Sequence, residues 1–455
     1  MLRSVALAAL LGASSVLAVK CSLDSKCPQD SPCCSQYGEC GVGAYCLGGC
    51  DPRMSFSVDA CVPAPVCKDK SMTFTDTKSI IDINKYLGDP SKADWVAQGE
   101  PLTYNGNVLL TMPKDSVGTV LASTEYMWYG NVKAKFKTGR GRGVVTAFIL
   151  LSDVKDEIDY EFVGVDLQTA QTNYYFQGIP NYHNSGNISS ISDSFSNYHE
   201  YEIQWTPDQI KWLIDGQVGR TVNRKDTWNA TANRWEYPQT PARVQLSIWP
   251  GGAPSNAKGT IDWAGGVIDW DSDDIKKAGY YYATFQSVDI QCYKTTSPPG
   301  TNSGKSYTYS GAGGTNDTVI NGNKDTIIAS FEATGLDPEA GKQEESSASS
   351  SAAAPKKTQA QIPGGGNGAS GNDHSSDSGN NKGSGGGNSV PGGSSGSSGS
   401  NGGGSSGGDS NCDSSSFNQN CGSNGNNGGG KKNAGSRTGA SALAVVIAGV
   451  ALYLL

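Results

Sequence analysis

Four carboxylates lie within six residues near the middle of the chain, in the stretch SDVKDEIDYEFVG (152–164). Asp156, Glu157, Asp159 and Glu161 would repel one another, so such a run requires a reason. Two carboxyl groups can cleave a glycosidic bond with retention of configuration when one is ionised and the other is protonated. A third carboxyl group between them can hydrogen-bond to either one and separate their pKa values. The run is therefore a candidate for acid–base and nucleophilic chemistry at a sugar.

The residues around this run predict one extended strand over residues 144–164. Side chains alternate between the faces of a strand, so Glu157, Asp159 and Glu161 share one face while the intervening apolar residues point toward a core. Cα atoms four residues apart lie roughly 13 Å from each other. Side chains that lean together shorten this gap to the roughly 5–5.5 Å of a retaining pair. A solvated acidic face and a calcium site are the alternatives, although the run lacks the glycine turn of a calcium loop.

Short alternating runs fill the segment from about 70 to 295, and each is bounded by Gly, Pro, Asn or Asp. Such runs predict the strands of an antiparallel sandwich. A segment of about 225 residues suits one sandwich or jelly roll. The sequence therefore predicts an all-β fold with a β-jelly-roll sandwich at residues 68–296. Trp205 and Trp212 are expected in its core.

Both ends of the chain carry the features of targeting signals. Residues 1–18 contain Arg3, an apolar run and small residues before a cleavage point, which indicates a secretory signal peptide rather than a membrane span. Residues 434–455 end in an apolar tail after a short polar spacer, the layout of a removable signal for a glycosylphosphatidylinositol (GPI) anchor. Asn433 is the expected attachment site, with Asn427 as the alternative. We thus expect a secreted protein, GPI-anchored at the plasma membrane or held in a cell wall.

Cysteine content and charge restrict the partners of the chain. Twelve cysteines in a secreted protein predict disulfides rather than a metal or redox site. The formal net charge of -8 argues against a nucleic-acid partner. We expect no metal and no organic cofactor, because two carboxyl groups suffice for the chemistry above. Sequons for N-glycosylation begin at Asn187, Asn229 and Asn316.

Composition divides the rest of the chain into two further segments. Nine cysteines precede residue 68, which predicts a small disulfide-rich module at residues 19–67, hereafter the N-terminal module. One of the nine is left over, and Cys292 is its obvious partner, although the connectivity stays open. Residues 297–433 are rich in Gly, Ser and Asn and predict a long disordered spacer, with Cys412 and Cys421 inside it.

The acidic run resembles the Glu-x-Asp-x-Glu signature of glycoside hydrolase family 16. Together with LSIWPGG (246–252) and GTIDWAGG (259–266), it is similar to the fungal Crh-type cell-wall transglycosylases. Proteins of that type are described as a β-jelly roll that cuts chitin and joins the new end to β-glucan. The resemblance covers roughly residues 70–295.

This resemblance also implies roles for individual residues. Glu157 would be the nucleophile, Glu161 the acid/base and Asp159 the auxiliary carboxylate. The family pattern places a donor groove beside them. The implied substrate-binding residues are Glu161, Gln245, Trp249 and Thr260.

The identity of the acceptor, water or a sugar hydroxyl, separates a hydrolase from a transglycosylase. Aromatic platforms that hold a sugar favour transfer. The candidate platforms are Trp128, Tyr129, Tyr174, Tyr175 and Trp249. The expected function is that of a retaining transglycosylase with a chitin donor and a β-glucan acceptor, which would cross-link the fungal wall. A retaining hydrolase of chitin or β-glucan and a non-catalytic wall lectin are the alternatives.

The stretch CPQDSPCCSQYGECGVGAYCLGGC (27–50) resembles the hevein-like chitin-binding module. The resemblance implies that Ser35, Tyr37 and Tyr45 bind N-acetylglucosamine units by hydrogen bonding and stacking. Glu39 occupies the position of a third aromatic residue, which removes one stacking platform. A disulfide-held scaffold without a ligand is the alternative.

Overall fold

The computed structural model describes residues 19–342. The chain in this range forms 23 strands, two short α-helices and five 3-10 turns. The strands are β1 (Cys33–Cys34), β2 (Cys40–Gly41), β3 (Ala64–Pro65), β4 (Lys70–Thr73), β5 (Ile80–Asp82), β6 (Trp95–Gln98), β7 (Pro101–Tyr104), β8 (Asn107–Pro113), β9 (Thr119–Met127), β10 (Gly130–Lys137), β11 (Val144–Ser152), β12 (Glu157–Val163), β13 (Thr169–Tyr175), β14 (Gly186–Ser189), β15 (His199–Trp205), β16 (Gln209–Ile214), β17 (Gln217–Asn223), β18 (Trp228–Asn229), β19 (Arg234–Trp235), β20 (Ala242–Pro250), β21 (Tyr280–Cys292), β22 (Ser306–Tyr309) and β23 (Val319–Gly322). The helices are α1 (Lys258–Trp263) and α2 (Asp273–Ala278), and the 3-10 turns are Gly43–Cys46, Val58–Ala60, Tyr182–Asn184, Arg224–Thr227 and Asn316–Thr318.

Two eight-stranded sheets form the sandwich. The outer sheet has the order β17-β16-β15-β10-β21-β8-β7, and β4 also pairs with β21. The second sheet, hereafter the acidic sheet, has the order β14-β13-β12-β11-β20-β9-β6-β5. Within the described range its pairs are antiparallel except that of β5 with β6. The predicted all-β jelly-roll fold is confirmed.

Large aromatic residues from both sheets fill the core. The ring of Phe162 on β12 lies 4.7 Å from Tyr201 and 5.6 Å from Phe136, measured between centroids. Trp205 and Trp212 are almost fully buried in the same cluster, as the sequence predicts. Each such aromatic residue removes about 150–250 Å² of surface from water, so the apolar face of β12 is fixed firmly toward the outer sheet.

The prediction of one continuous strand over residues 144–164 is wrong. The stretch forms a hairpin, in which β11 and β12 pair antiparallel and residues 153–156 make the turn. The Ser152 N–H donates to the Asp156 carbonyl across this turn, and Lys155 has a φ of 62°. Asp156 thus belongs to the turn and not to the row of carboxylates.

The prediction that disorder begins at residue 297 is also wrong, because residues 297–342 are folded. Strand β22 pairs with both β23 and β3. Tyr307 on β22 is buried, and its ring meets Trp128 edge-on at 6.0 Å. Ile328 is buried in a cluster with residues of the N-terminal module. The aromatic and aliphatic residues in this segment thus cover apolar surface that would otherwise face water.

Several predictions lie outside the described residues. These are the signal peptide at residues 1–18, the remainder of the spacer with Cys412 and Cys421, and the anchor signal with Asn433 or Asn427. Within residues 19–342, none of the helices is long and apolar enough to cross a membrane.

Disulfides hold the N-terminal module together and attach its end to the sandwich. Cys67 pairs with Cys292 of β21, which agrees with the partner inferred from the odd cysteine count. The sulfur atoms of Cys21, Cys27 and Cys34 lie close together, but all three belong to disulfides and are not free to bind a metal. The other pairs in the module are Cys21–Cys34, Cys27–Cys40, Cys33–Cys46 and Cys50–Cys61.

Candidate active site

Glu157, Asp159 and Glu161 alternate along β12 and face away from the core between the sheets. We call this side of the acidic sheet the acidic face. β12 lies between β11 and β13 in the sheet, so each carboxylate has a residue opposite on both sides. The three side chains are 1%, 0% and 7% exposed. The alternation predicted from the sequence therefore places them together, at a depth where ionisation is costly.

Two hydrogen bonds attach this strand to the outer sheet. The Trp212 Nε1–H donates to the Asp159 carbonyl at 2.9 Å, and the Tyr160 hydroxyl donates to the Leu213 carbonyl at 2.9 Å. Both bonds are buried, where their loss would leave unpaired polar groups. They fix the backbone of β12 between the positions of the outer carboxylates.

Residues of β20 extend the acidic face on the far side of β11. In register, Asp159 lies opposite Ile149, and Ile149 lies opposite Gln245. Trp249 lies four residues after Gln245 on β20, so the two side chains point to the same face. The structure therefore brings Gln245 and Trp249 onto the face that carries the carboxylates.

Helix α1 adds a second tryptophan to this face. The ring of Trp263 stacks on that of Trp249 with centroids 6.0 Å apart and planes 29° apart. The Trp263 indole N–H donates to the side-chain oxygen of Gln171, which lies opposite Glu161 in the sheet. Thr260 is half-buried on the same helix. Residue type and spacing do not indicate Trp263 as a site residue, although the motif GTIDWAGG contains it.

Several buried polar atoms on the acidic face have no hydrogen-bond partner among the described residues. A buried polar group without a partner is costly and uncommon in a folded protein. Their concentration on one face is the pattern expected where sugar hydroxyl and amide groups bind. The atoms are Glu157 Oε2, Glu161 Oε1, Gln245 Oε1 and Trp249 Nε1.

The acidic face is not a converging metal cage. A set of three possible ligand atoms that all lie within 4.8 Å of one another occurs among residues 19–342 only at the disulfide cysteines described above. Glu157, Asp159 and Glu161 therefore do not bring their oxygens together as a calcium site requires.

Burial raises the pKa of all three carboxyl groups, but by different amounts. The pKa of Glu157 is raised least, because Asp159 hydrogen-bonds to it and the charge of Lys155 favours its ionised form. Burial and the charges of Glu157 and Glu161 raise the pKa of Asp159 well above its usual range. Burial and the charge of Glu157 likewise raise the pKa of Glu161 well above its usual range. Glu157 therefore ionises first, while Asp159 and Glu161 keep their protons.

Protonation also explains how Glu157 and Asp159 can interact. Two carboxylates cannot donate to each other, so the pair forms a hydrogen bond only when one of them carries a proton. Because the pKa of Asp159 is the higher, its hydroxyl is the donor and the ionised Glu157 is the acceptor. The arrangement supplies one ionised and one protonated carboxyl group at the two ends of the row.

Asp156 holds the turn that precedes Glu157. One of its carboxyl oxygens accepts from the backbone N–H groups of Gln239 and Thr240 and from the Thr240 hydroxyl, at 2.9, 3.1 and 2.7 Å. The other accepts from the Gln177 N–H at 2.9 Å. Burial raises the pKa of Asp156 to about 6, so at neutral pH it is an ionised acceptor for four hydrogen bonds.

The aromatic residues proposed as platforms divide into two groups. Trp128 and Tyr129 lie in the core, where the Trp128 indole donates to the Gln239 carbonyl at 2.9 Å, so the prediction that they form platforms is wrong. Tyr174 also belongs to the core cluster. Tyr175 lies opposite Glu157 in the sheet, on the acidic face with Trp249. The alternation of β13 decides this, since adjacent residues point to opposite faces.

The expected exposed sugar-binding surface on the N-terminal module is not present. Ser35, Tyr37 and Tyr45 are 8%, 7% and 5% exposed. The Ser35 hydroxyl accepts from the backbone N–H groups of Tyr37 and Glu39, and the Tyr37 hydroxyl donates to Gln98 of the acidic sheet at 2.8 Å. The cavity beside the three residues has a volume of about 30 Å³, which holds about one water molecule rather than a sugar ring. These side chains instead pack and form hydrogen bonds within the protein.

The three sequons lie at or near the surface. Asn187 is exposed on β14, whereas Asn229 and Asn316 are half-buried. The Asn229 side chain donates to Glu236 at 3.0 Å. Glycosylation at these positions stays a prediction.

Comparison with known proteins identifies the family. The model of the glycosyl hydrolases family 16 matches residues 89–265. Crh-like protein 3 of Botryotinia fuckeliana is 66% identical over 74% of this chain and 76% of its own, and Crh-like protein 2 of Aspergillus fumigatus is 54% identical over 71% and 73%. A solved structure of Crh5 transglycosylase in complex with NAG is 29% identical, covers 57% of this chain and 95% of that one, and has a TM-score of 0.46. Because Crh-like protein 3 is 66% identical over 76% of its own length, this chain belongs to the Crh-like proteins of glycosyl hydrolase family 16.

Proposed function

We propose that this protein is a retaining transglycosylase that cleaves chitin in the fungal wall and joins the new end to β-glucan. The observation that carries the proposal is the row of three buried carboxyl groups on one face of β12. Glu157 ionises first, whereas Glu161 keeps its proton. A retaining enzyme needs this pair, a carboxylate nucleophile and a carboxylic acid. Membership in family 16 supports the same chemistry.

The first half of the reaction breaks the donor chain. A carboxylate oxygen of Glu157 attacks the anomeric carbon, and the bond from that carbon to the leaving oxygen breaks. Glu161 gives its proton to the leaving oxygen, so the departing chain leaves as an alcohol. The product is a glycosyl ester on Glu157, with Glu161 ionised. The Asp159 proton hydrogen-bonds to Glu157 at the start of this step and limits its charge in the buried site.

The second half transfers the chain to an acceptor. Glu161, now ionised, takes the proton of an acceptor hydroxyl, whose oxygen attacks the anomeric carbon and releases Glu157. A sugar acceptor gives transfer and water gives hydrolysis. Trp249 and Trp263 form an aromatic surface beside Glu161 that would hold a sugar ring and exclude water from it. The unpaired oxygen of Gln245 would accept a hydroxyl or amide proton of the bound chain.

We place the protein at the cell surface and wall. A signal peptide at residues 1–18 and a GPI anchor at Asn433 would deliver and hold it there, with residues up to 433 as a spacer. Glycans at the sequons would add to its surface. Family membership supports a role at the wall. The anchor itself is tested by release of the protein from membranes with a phospholipase specific for GPI, which a variant truncated before residue 434 should not require.

Product analysis tests the proposed reaction. The full secreted chain is incubated with chitin oligomers, with and without β-glucan oligomers that carry a fluorescent label. We expect the label to move into a larger product that chitinase shortens again. Label that stays in its original oligomer, while short chitin fragments are released, would instead support a hydrolase and overturn the transfer.

A matched pair of variants tests the assignment of the nucleophile. Glu157→Gln keeps the shape of the side chain but removes the nucleophile, so turnover should fall by at least about a thousandfold. Glu332→Gln makes the same exchange at an exposed position and should retain the unaltered rate. Equal rates in the two variants would remove Glu157 from the mechanism.

A further inference from the structure

The N-terminal module covers strands β9 and β6 of the acidic face. In register, Gln245 lies opposite Ala122 of β9, and Ala122 lies opposite Val96 of β6. Val96 is buried in one cluster with Tyr45 and other residues of the module. The acidic sheet thus has two regions on this face. Strands β12, β11 and β20 carry the carboxylates and Gln245, whereas β9 and β6 lie under the module.

Polar contacts fix the module at the border between these regions. The Tyr37 hydroxyl donates to Gln98 of β6, as described above. The Gly49 N–H donates to a carboxyl oxygen of Asp153 and to the Tyr126 hydroxyl, both at 2.9 Å. Asp153 lies in the turn between β11 and β12. The module is therefore attached to the hairpin that carries the carboxylates as well as to the covered strands.

Two glycines of the module lie close to the side chain of Arg243. A Cβ atom on Gly48 would lie 2.5 Å from Nη1 of Arg243 on β20, and one on Gly49 would lie 2.9 Å from Nη2 of the same guanidinium. The cavity at this contact that is lined by Gly48 and Arg243 has a volume of about 30 Å³, so no sugar ring fits between module and sheet. With four internal disulfides and the Cys67–Cys292 bond, the module is a fixed part of the molecule.

Gln36 of the module contacts three residues of the acidic sheet and of the turn before Glu157. Its side-chain oxygen accepts from Arg243 Nη2 at 2.8 Å and, at a longer 3.4 Å, from Gln245 Nε2. Its backbone carbonyl accepts from Lys155 Nζ at 2.8 Å. Lys155 is the cation that favours ionised Glu157. Gln36 is half-buried, so part of the residue stays exposed to solvent.

We infer that the N-terminal module forms one wall of the active-site cleft and that Gln36 contacts the bound sugar chain next to Gln245. This inference rests on the proposed function, because it concerns the same cleft. A chain of β-linked sugars that crosses the strands from β12 toward β20 meets the module at β9, one strand beyond Gln245. The module then limits how many sugar rings bind on that side, and it acts as a specificity element rather than as a separate chitin-binding tether.

Kinetics of Gln36→Ala test this role. Loss of one hydrogen bond to the substrate, together with a less ordered Gln245, should raise KM for chitin oligomers about three- to tenfold. Because Gln36 does not touch the reacting atoms, kcat should stay within about twofold. Gln29→Ala is the matched control, since Gln29 is exposed on the same module and distant in sequence from these contacts. The rate constants are measured on the full chain over a series of oligomer lengths, with the melting temperature as a check on folding.

The outcomes separate this inference from the proposed function. The inference that the module forms a wall of the cleft is supported if KM rises for Gln36→Ala, most for the longest oligomers, with an unchanged melting temperature. Equal KM values for Gln36→Ala and Gln29→Ala, in a protein that does turn over chitin oligomers, overturn it. If the unaltered protein turns over neither chitin nor β-glucan oligomers, the proposed function fails instead. Calorimetry then tests separately whether Gln36 contacts the bound chain. It compares binding of chitin oligomers to the inactive Glu157→Gln chain with and without Gln36→Ala.

Discussion

Asp153 offers a clean test of how tightly the N-terminal module is docked. The same carboxyl oxygen accepts from the Gly49 N–H and from the Tyr126 hydroxyl. Asp153→Asn can keep both hydrogen bonds, because the amide oxygen of asparagine occupies the place of that carboxyl oxygen. The substitution therefore removes the ionisation of the group and leaves its contacts. It mimics the protonated aspartic acid at every pH.

The magnitude follows from the pKa. Burial under the module raises the pKa of Asp153 from 3.8 to about 6. For an acid whose pKa is raised by folding, the stabilising contribution is complete below the unfolded pKa and is lost as the pH rises through the folded pKa. The full loss is about 3 kcal/mol, and partial exposure of the side chain reduces it to roughly 1–2 kcal/mol. Asp153→Asn avoids this loss, so it should stabilise the protein at pH 8 and leave it unchanged near pH 4.

Denaturant unfolding at the two pH values measures the effect. At pH 8 the free energy of unfolding of Asp153→Asn should exceed that of the unaltered protein by roughly 1–2 kcal/mol, or about 2–6 °C in melting temperature. Asp208→Asn makes the same exchange at an exposed position of the sandwich and serves as the control. If Asp153→Asn were equally stable at both pH values, or less stable at pH 8, Asp153 would not be buried under a docked module.

Three further predictions concern the site and the core. Glu161→Gln should slow cleavage of chitin oligomers by about a hundred- to ten-thousandfold. Deprotonation of Glu161 should end the activity of the unaltered protein at high pH. The residual rate of Glu161→Gln on an activated aryl glycoside should therefore no longer fall at alkaline pH, and a pH–rate profile measures this. Trp263→Ala should raise KM about three- to tenfold with little change in kcat, since the stack on Trp249 is lost, and Michaelis–Menten kinetics measure this split. Trp128→Ala should lower the free energy of unfolding by about 3–5 kcal/mol in urea without altering KM, because this ring lies in the core rather than in the cleft.

Local periodicity was sufficient to predict the row of carboxylates. Alternation places Glu157, Asp159 and Glu161 on one face whatever the partner strands are, because the apolar residues between them must be buried. The same rule failed at the turn before Glu157. Asp156 and Lys155 have residue types that fit a strand pattern, whereas the hydrogen bonds that hold Asp156 in the turn come in part from Gln239 and Thr240, more than 80 residues away.

Contacts between distant segments account for the other errors. Tyr37 and Tyr45 resemble exposed binding residues, but whether they face solvent depends on a docking partner far along the chain. Composition likewise suggested disorder from residue 297, although the segment up to 342 contains enough apolar residues to pack on the sandwich. Trp128 shows the same problem, because aromatic residues serve cores and sugar sites equally and only their burial separates the two.

The turn between β11 and β12 couples the module to the nucleophile. Within four residues, Asp153 holds Gly49 of the module, Lys155 donates to the Gln36 carbonyl, and Asp156 fixes the start of β12. Lys155 is buried, and this burial lowers its pKa, so its charge acts on Glu157 from a position with little water. Without the module, water would reach Lys155, which would weaken its effect on Glu157 and raise the pKa of the nucleophile relative to its value in the intact protein. The module and the carboxylate row therefore act as one site, and deletion of residues 19–67 should impair catalysis even on soluble oligomers that need no tether.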